Sequence, residues 1–163
     1  MSIWWSLHLR REAASVPLAR RLLLGTMETA GVDPDVSYDL SVALSEACAN
    51  AVEHGGGSAP GSFSGAYRVT AYLDGEMCRI EVTDSGPGFT ADRPPRPPSM
   101  ATHVATPTAT PLAMDEAENG RGLYLIRELA DHVHIANKPG RGGAVVSFDK
   151  LLKWRKDAPL MAV

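Results

Sequence analysis

The sequence predicts an α+β fold of two layers, in which a mixed, mostly antiparallel sheet is covered on one face by about three helices. The predicted elements follow the order β-α-α-β-β-α-β-β, with the strands in hairpins and the helices grouped between them. The strict alternation of a doubly wound fold is absent. The chain has 163 residues, a length typical of one domain. We therefore expect a single domain over residues 1–163.

Composition and charge restrict the function classes. Hydrophobic residues make up 44% and charged residues 21% of the chain, as in an average globular protein. The net charge of −3 creates no overall attraction to nucleic acids or acidic membranes. No apolar run is long enough to span a membrane, and the N-terminus does not have the pattern of a signal peptide. We expect a cytoplasmic protein with no direct nucleic-acid or membrane partner, in which Cys48 and Cys78 are reduced, buried thiols.

The first three elements have clear boundary signals. Residues 3–10 alternate loosely and are rich in aromatic and apolar side chains, which predicts a strand. Apolar residues then recur at helical spacing over residues 13–30, and Gly31 is expected to end this helix. Asp33 is expected to cap a second helix that begins at Pro34 and ends near residue 54.

The later elements surround a long segment without periodicity. Residues 67–73 and 77–83 are predicted strands, and the Asp74-Gly75 pair between them indicates a hairpin. Residues 90–118 contain six of the twelve prolines, and a loop this long is usually a functional lid or a disordered insert. The remaining predicted elements are a third helix from residue 119, marked by Leu123, Ile126, Ala130 and Val133, and strands over 133–136 and 144–148.

Three segments carry residues suited to chemistry, and the first lies on the second helix. Glu46, Asn50 and His54 are spaced four residues apart, so they form one polar stripe beside the apolar face. At the edge of the core, partial removal of water would strengthen the electrostatic interactions of these side chains. The alternative is an ordinary solvated helix face.

The second segment follows a predicted strand. Asp84 precedes Gly86 and Gly88, which places a carboxylate at a turn with little side-chain bulk. Such a carboxylate can accept a hydrogen bond from a buried amino group. The alternative is a plain turn, in which aspartate and glycine are both common.

The third segment lies at the start of the third helix. Gly120 and Gly122 would let the free N–H groups of the first helical turn approach phosphate oxygens. The alternative is a flexible hinge at the end of the long loop. A Walker loop is excluded, since no Gly-Lys-Ser/Thr follows.

Taken in this order, the segments resemble the motifs of the GHKL (Bergerat-fold) ATP-binding superfamily. Glu46-x-x-x-Asn50 resembles its N box, Asp84-x-Gly86-x-Gly88 its first glycine box, and Gly120-x-Gly122-Leu123 its second. Residues 46–55, Glu-Ala-Cys-Ala-Asn-Ala-Val-Glu-His-Gly, are similar to the helix of the anti-sigma factor serine/threonine kinase branch. In that family the segment corresponding to about residues 89–119 is the ATP lid.

The resemblance implies a role for each matching residue. Glu46 would be the general base, and Asn50 would hold the Mg²⁺ that bridges the ATP phosphates. Asp84 would accept a hydrogen bond from the adenine amino group. Backbone groups would contact the base at Gly86 and Gly88, and the phosphates at Gly120, Arg121, Gly122 and Leu123. The family often has Gly-Thr where this chain has Gly143-Ala144, so the threonine contact to adenine is missing or replaced, for instance by a water on Asp84.

The function implied is that of an ATP-binding anti-sigma factor and serine-protein kinase. Such a protein phosphorylates a small STAS-type antagonist and sequesters a sigma factor. The alternative is a non-catalytic nucleotide-binding module that switches protein partners. Arg20 lies where this branch can contact partners, although a solvated arginine is the simpler interpretation. Trp4 and Trp5 on the first strand belong either to the core or to the surface of a homodimer.

Overall fold

The computed structural model describes residues 2–54, 65–84, 122–137 and 143–158. It confirms a five-stranded sheet with helices packed on one face. The elements in chain order are β1 (Ile3–Arg10), α1 (Ser15–Ala30), α2 (Pro34–His54), β2 (Ala66–Leu73), β3 (Met77–Asp84), α3 (residues 122–129), β4 (His132–Asn137) and β5 (Ala144–Leu151).

The strands of the sheet follow the order β1-β2-β3-β5-β4. Every pairing between these described strands is antiparallel, so the sheet is more uniform than the mixed, mostly antiparallel sheet predicted. Along β2, Val69, Ala71 and Leu73 are buried, whereas the residues between them are half-buried or exposed. This alternation is typical of a sheet with one face against a core and one face open.

Local signals fix the boundary between the first two helices as predicted. Gly31 adopts a φ of 90°, and its N–H donates to the carbonyls of Glu28 and Met27. An L side chain at that φ would be strained, which is why glycine ends α1. The Oδ1 of Asp33 then accepts a hydrogen bond of 2.9 Å from the N–H of Asp35, so Asp33 caps α2.

The predicted hairpin joins β2 to β3. The Oδ1 of Asp74 accepts hydrogen bonds from the N–H groups of Glu76 (2.7 Å) and Met77 (2.8 Å). Both bonds lower the pKa of the Asp74 carboxyl, and the bond from Met77 has the larger effect. The side chain therefore stabilises the turn that the Asp-Gly pair predicted.

The third helix ends earlier than its apolar pattern predicted. It ends at Leu129, and Val133 lies in β4. The N–H of Asp131 donates to the carbonyl of Asp149 at 2.9 Å, which commits the chain to pairing with β5. Val133 is partly buried against the core as a residue of β4. Its apolar character therefore predicted its burial correctly, but its assignment to the helix was wrong.

The basic C-terminal segment is an integral part of the fold. The carbonyl of Lys153 accepts a hydrogen bond from the N–H of Asp33, and the N–H of Arg155 donates to the carbonyl of Gly31, both at 2.8 Å. The Arg155 guanidinium donates to the carbonyl of Glu28 at 2.8 Å. Residues 153–155 thus cover the turn between α1 and α2.

Both cysteines are free and fully buried, as predicted. The Cys48 thiol shares a hydrogen bond with the Tyr67 hydroxyl, which lies 2.6 Å from Ser15 Oγ. Ser15 in turn donates to the carbonyl of Glu12 at 2.6 Å. The single Ser15 proton is thereby committed to Glu12, so the Tyr67 hydroxyl donates to Ser15. This buried polar chain connects α2, β2 and the start of α1.

We expect alkaline pH to destabilise the fold through the two thiols. Burial raises the pKa of Cys48 and of Cys78 from 9.0 to about 12. Below pH 9 both states keep the proton, and between pH 9 and 12 only the unfolded chain loses it. The free energy of unfolding should then fall by about 1.4 kcal/mol per pH unit per thiol.

Urea unfolding at pH 7.5 and pH 10 tests this expectation. The two thiols together should remove about 3 kcal/mol over that interval. A variant carrying Cys48→Ala and Cys78→Ala should be less stable at pH 7.5 and should lose less stability on going to pH 10. An equal loss in both proteins would show that the thiols are not responsible.

Candidate functional site

The polar stripe of α2 lies at the border of the core, as expected. Glu46 and Asn50 are half-buried, whereas Ala47, Cys48 and Ala51 of the same helix are buried. Residues four apart on a helix have neighbouring side chains. Glu46 and Asn50 therefore form one partly desolvated polar surface beside the apolar face of α2.

The start of α3 lies directly against Glu46. A Cβ atom placed on Gly122 would be 3.3 Å from Glu46 Oε2, closer than ordinary van der Waals contact. Glycine at position 122 thus permits the backbone of α3 to approach the carboxylate. This contact joins the first and third of the sequence segments, although the chain separates them widely.

Asp84 is held at the end of β3. It is 8% exposed, and its Oδ1 accepts a hydrogen bond of 3.1 Å from the N–H of Ala144, 60 residues further along the chain. The last pair in the register of β3 and β5 is Thr83 with Val145. The carboxylate therefore replaces the next main-chain bond of the ladder.

The α2 polar surface and Asp84 lie at the same end of the sheet. Cys48, two residues from both Glu46 and Asn50, shares a hydrogen bond with Tyr67. Tyr67 is the register partner of Asp84, so both side chains are on the helix-facing side of the sheet. Side chains of directly opposed strand residues are near neighbours. These contacts place the α2 polar surface near Asp84 and, through Glu46, against the start of α3.

Part of the predicted site lies outside the described residues. This applies to Gly86, Gly88, Gly120 and Arg121, and to all of the predicted lid over residues 89–119. The backbone of α2 extends to His54, whose side chain is also outside the description. Leu123 is described and packs, half-buried, against the core, which is compatible with a contact through its backbone.

The donor set on α2 fits a magnesium ion shared with a triphosphate. Mg²⁺ is usually held by one or two protein oxygens together with phosphate and water oxygens. Asn50 offers one amide oxygen on a half-buried surface beside Glu46. Among the described residues there is no group of three or more histidine, cysteine or acidic side chains arranged to hold a metal alone.

Two contributors to this site were missed by the analysis of the sequence. Tyr67 was read only as a strand residue, although its position opposite Asp84 follows from the hairpin register. The N–H of Ala144 was also missed, because the comparison with the family pointed to the absent threonine side chain. The Asp-Gly turn could have given the register, but no sequence signal announces a main-chain donor.

No helix in the described part of the chain is long and apolar enough to cross a membrane. This agrees with the absence of long apolar runs in the sequence. The cytoplasmic location stays a prediction.

Comparison with known proteins identifies the family of the chain. The model of the family described as histidine kinase-like ATPase domain matches residues 9–150. Serine-protein kinase RsbW of Bacillus subtilis is 29% identical over 133 residues, which cover 82% of this chain and 78% of the relative. The Bacillus pumilus protein of the same name is 30% identical, with 82% and 78% coverage.

A solved structure agrees with the fold. The crystal structure of RsbU and RsbW domains of a Mycobacterium tuberculosis protein superimposes with a TM-score of 0.59 at 21% identity. The match covers 91% of this chain and 33% of that chain, so the present sequence spans about a third of its length. At this identity the likeness concerns the fold alone. On the family match and the RsbW relatives together, the chain belongs to the histidine kinase-like ATPase domain family, in its anti-sigma factor serine kinase branch.

Proposed function

We propose that this protein is an Mg²⁺- and ATP-dependent serine-protein kinase that acts on a small STAS-type antagonist and sequesters a sigma factor. The observation that carries the proposal is the approach of Gly122 to the Glu46 carboxylate. It brings the first described residue of α3 against the only acidic side chain of the α2 stripe. Phosphoryl transfer needs positioning, charge stabilisation and a base more than covalent help from the protein.

In the proposed mechanism Glu46 is the general base. Its carboxylate accepts the proton of the attacking serine hydroxyl while the γ-phosphoryl group leaves ADP. Asn50 would hold Mg²⁺, and the bound ion would neutralise part of the phosphate charge. Backbone N–H groups of Gly120, Arg121, Gly122 and Leu123 would contact phosphate oxygens, with help from the positive end of the helix dipole.

Asp84 would select adenine in this mechanism. Its carboxylate accepts a hydrogen bond from the adenine amino group, a donor that guanine lacks at the same position. The N–H of Ala144 restrains the rotation of the carboxylate. The backbone at Gly86 and Gly88 would lie close to the base, since neither residue has a side chain that would block it.

The substitution Gly122→Ala should lower activity without lowering stability. Alanine favours a helix by up to about 1 kcal/mol over glycine, and Gly122 is not among the described glycines with positive φ. The added Cβ would nevertheless displace the Glu46 carboxylate by a few tenths of an ångström. We expect unchanged or slightly higher thermal stability and phosphoryl transfer slowed about tenfold or more.

A kinase assay beside a thermal melt checks this pair of effects. Gly75→Ala is the control, because a Cβ there has open space around it. Wild-type activity in Gly122→Ala would show that the approach to Glu46 is unimportant for transfer.

The proposed partners include a second copy of the chain. β1 is an edge strand on which Trp4 is 65% exposed, and a groove of about 660 Å³ between β1 and α1 is lined by Leu18 and Leu22. Pairing of two β1 strands would cover this apolar edge. Light scattering should show a dimer for the wild type and a monomer for Trp4→Lys. A wild-type monomer at all concentrations would refute the proposed dimer.

The decisive experiment is incubation with γ-labelled ATP, Mg²⁺ and candidate STAS-type antagonist proteins. We expect label on a serine of one antagonist and none when Mg²⁺ is removed by a chelator. Tight nucleotide binding without any phosphoserine would instead support the non-catalytic module that switches partners. Absence of nucleotide binding would refute both.

A further inference from the structure

The third helix has one end at the proposed nucleotide site and the other end fixed to β5. Gly122 at its start lies against Glu46, and Leu129 is its last residue. After the helix, the N–H of Asp131 donates to the Asp149 carbonyl at 2.9 Å, and the N–H of Leu151 donates to Asp131 Oδ2 at 2.6 Å. The turn after α3 is thus held to β5 by one main-chain bond and by one bond to the Asp131 side chain.

Lys150 adds a side-chain bond to the helix itself. Its Nζ donates to the carbonyl of Leu129 at 2.8 Å and lies 3.8 Å from Asp39 Oδ2 on α2. The side chain of Lys150 is 18% exposed, so it is not an ordinary solvated lysine. Terminal helix carbonyls lack partners within the helix, and a cation at that end also complements the helix dipole.

The direction of Lys150 follows from the sheet. Ala144, Val146 and Phe148 of β5 are buried on the helix-facing side, and Lys150 continues this series two residues further. Its register partner is Cys78, which is fully buried on the same face. The ammonium group therefore enters the layer between the sheet and the helices and meets the end of α3 there.

A small rotation at Leu129 would be magnified at Gly122. Seven residues of helix span about 10 Å, so a tilt of about 5° moves the far end by about 1 Å. A misplacement of this size at a reacting group can reduce the rate about 100-fold. The space between Gly122 and the Glu46 carboxylate is already too small for one extra carbon atom at ordinary van der Waals distance.

We propose that Lys150 is a positioning residue for the nucleotide site: by holding the Leu129 carbonyl it fixes the angle of α3 and hence the placement of Gly122 against Glu46. This inference rests on the proposed function, in which Glu46 and the start of α3 handle the ATP phosphates. Lys150 contacts neither nucleotide nor acceptor in this proposal. It acts through the helix.

The test compares four variants of the full chain. Lys150→Met removes the donor and keeps an apolar stem of similar length, whereas Lys150→Arg keeps a donor for Leu129. Asp39→Asn removes the ion pair and leaves the Leu129 bond in place. Lys153→Met is the control for loss of one exposed positive charge.

Four quantities are measured on each variant: ATP affinity by calorimetry, kcat/KM for transfer, amide hydrogen exchange of residues 122–129, and Tm. For Lys150→Met we expect ATP affinity or kcat/KM reduced at least tenfold, faster exchange in α3, and a Tm lowered by a few degrees at most. Lys150→Arg should recover activity to within about threefold of wild type. Asp39→Asn and Lys153→Met should remain within about twofold.

The outcomes separate this inference from the function on which it rests. Wild-type nucleotide binding, transfer and α3 exchange in Lys150→Met would overturn it, and so would an Asp39→Asn variant with the same loss. A Tm that falls in parallel with activity and is not restored by Lys150→Arg would reduce Lys150 to a stability role. If the wild type itself binds no ATP, the proposed function fails, whereas hydrogen exchange still reports whether Lys150 anchors α3.

Discussion

Replacing Glu46 with glutamine is expected to slow transfer of phosphate to a serine acceptor by about 10²–10⁴-fold, the usual contribution of a positioned general base. Glutamine has nearly the same shape as glutamate, so the close contact with Gly122 should persist. The affinity for ATP should remain within about threefold, because the assigned role of Glu46 concerns the proton and not the nucleotide. Single-turnover transfer of labelled phosphate and calorimetry with ATP measure the two effects.

The matched control is Glu28→Gln, which removes a carboxylate from an exposed position of α1. It should have wild-type kinetics. If Glu46→Gln transfers phosphate at the wild-type rate, Glu46 is not the base. If it loses ATP binding as well, the carboxylate acts in nucleotide binding and the assignment also fails.

Asp84→Asn is expected to weaken ATP binding by about 10–150-fold, which corresponds to 1.5–3 kcal/mol for a charge-assisted hydrogen bond. The amide oxygen of asparagine can still accept from the N–H of Ala144, so the end of the sheet should stay intact. Its NH₂ group, however, would meet the adenine amino group as a second donor. Calorimetry with ATP and GTP should show that the variant loses the preference for ATP.

Asp157→Asn on the exposed C-terminal segment controls for the change of charge. Its affinities for ATP and GTP should equal those of the wild type. Equal ATP affinity of Asp84→Asn and wild type would refute the adenine-binding role. A loss of folding cooperativity in Asp84→Asn would instead show that the bond to Ala144 needs the charged carboxylate.

Local features could be predicted from the sequence because neighbouring residues determine them. Gly31 ends α1 through its own φ, and Asp33 caps α2 through a bond to a residue two positions away. The turn at Asp74 is likewise stabilised by a hydrogen bond from a nearby backbone N–H to the Asp74 side chain. The end of α3 was predicted too late, because apolar spacing alone does not distinguish Val133 on a helix from Val133 on a buried strand.

The candidate site was predicted only in part. The motifs supplied Glu46, Asn50 and Asp84, while Tyr67 opposite Asp84 and the main-chain donor at Ala144 emerged from strand register. The structural role of Lys153 and Arg155 was also missed, because a short basic segment carries no signal that its backbone will cover a distant turn.

The amino-acid order by itself determined where helices and strands begin, which faces are apolar, and which chemical groups the chain could offer a nucleotide. These properties depend on side-chain type and on contacts within a few residues. Only the tertiary structure decided that Gly122 meets Glu46, that Asp84 bonds to Ala144, and that Lys150 holds the end of α3. Such distances depend on how the helices pack on the sheet, and this is set by the whole core at once.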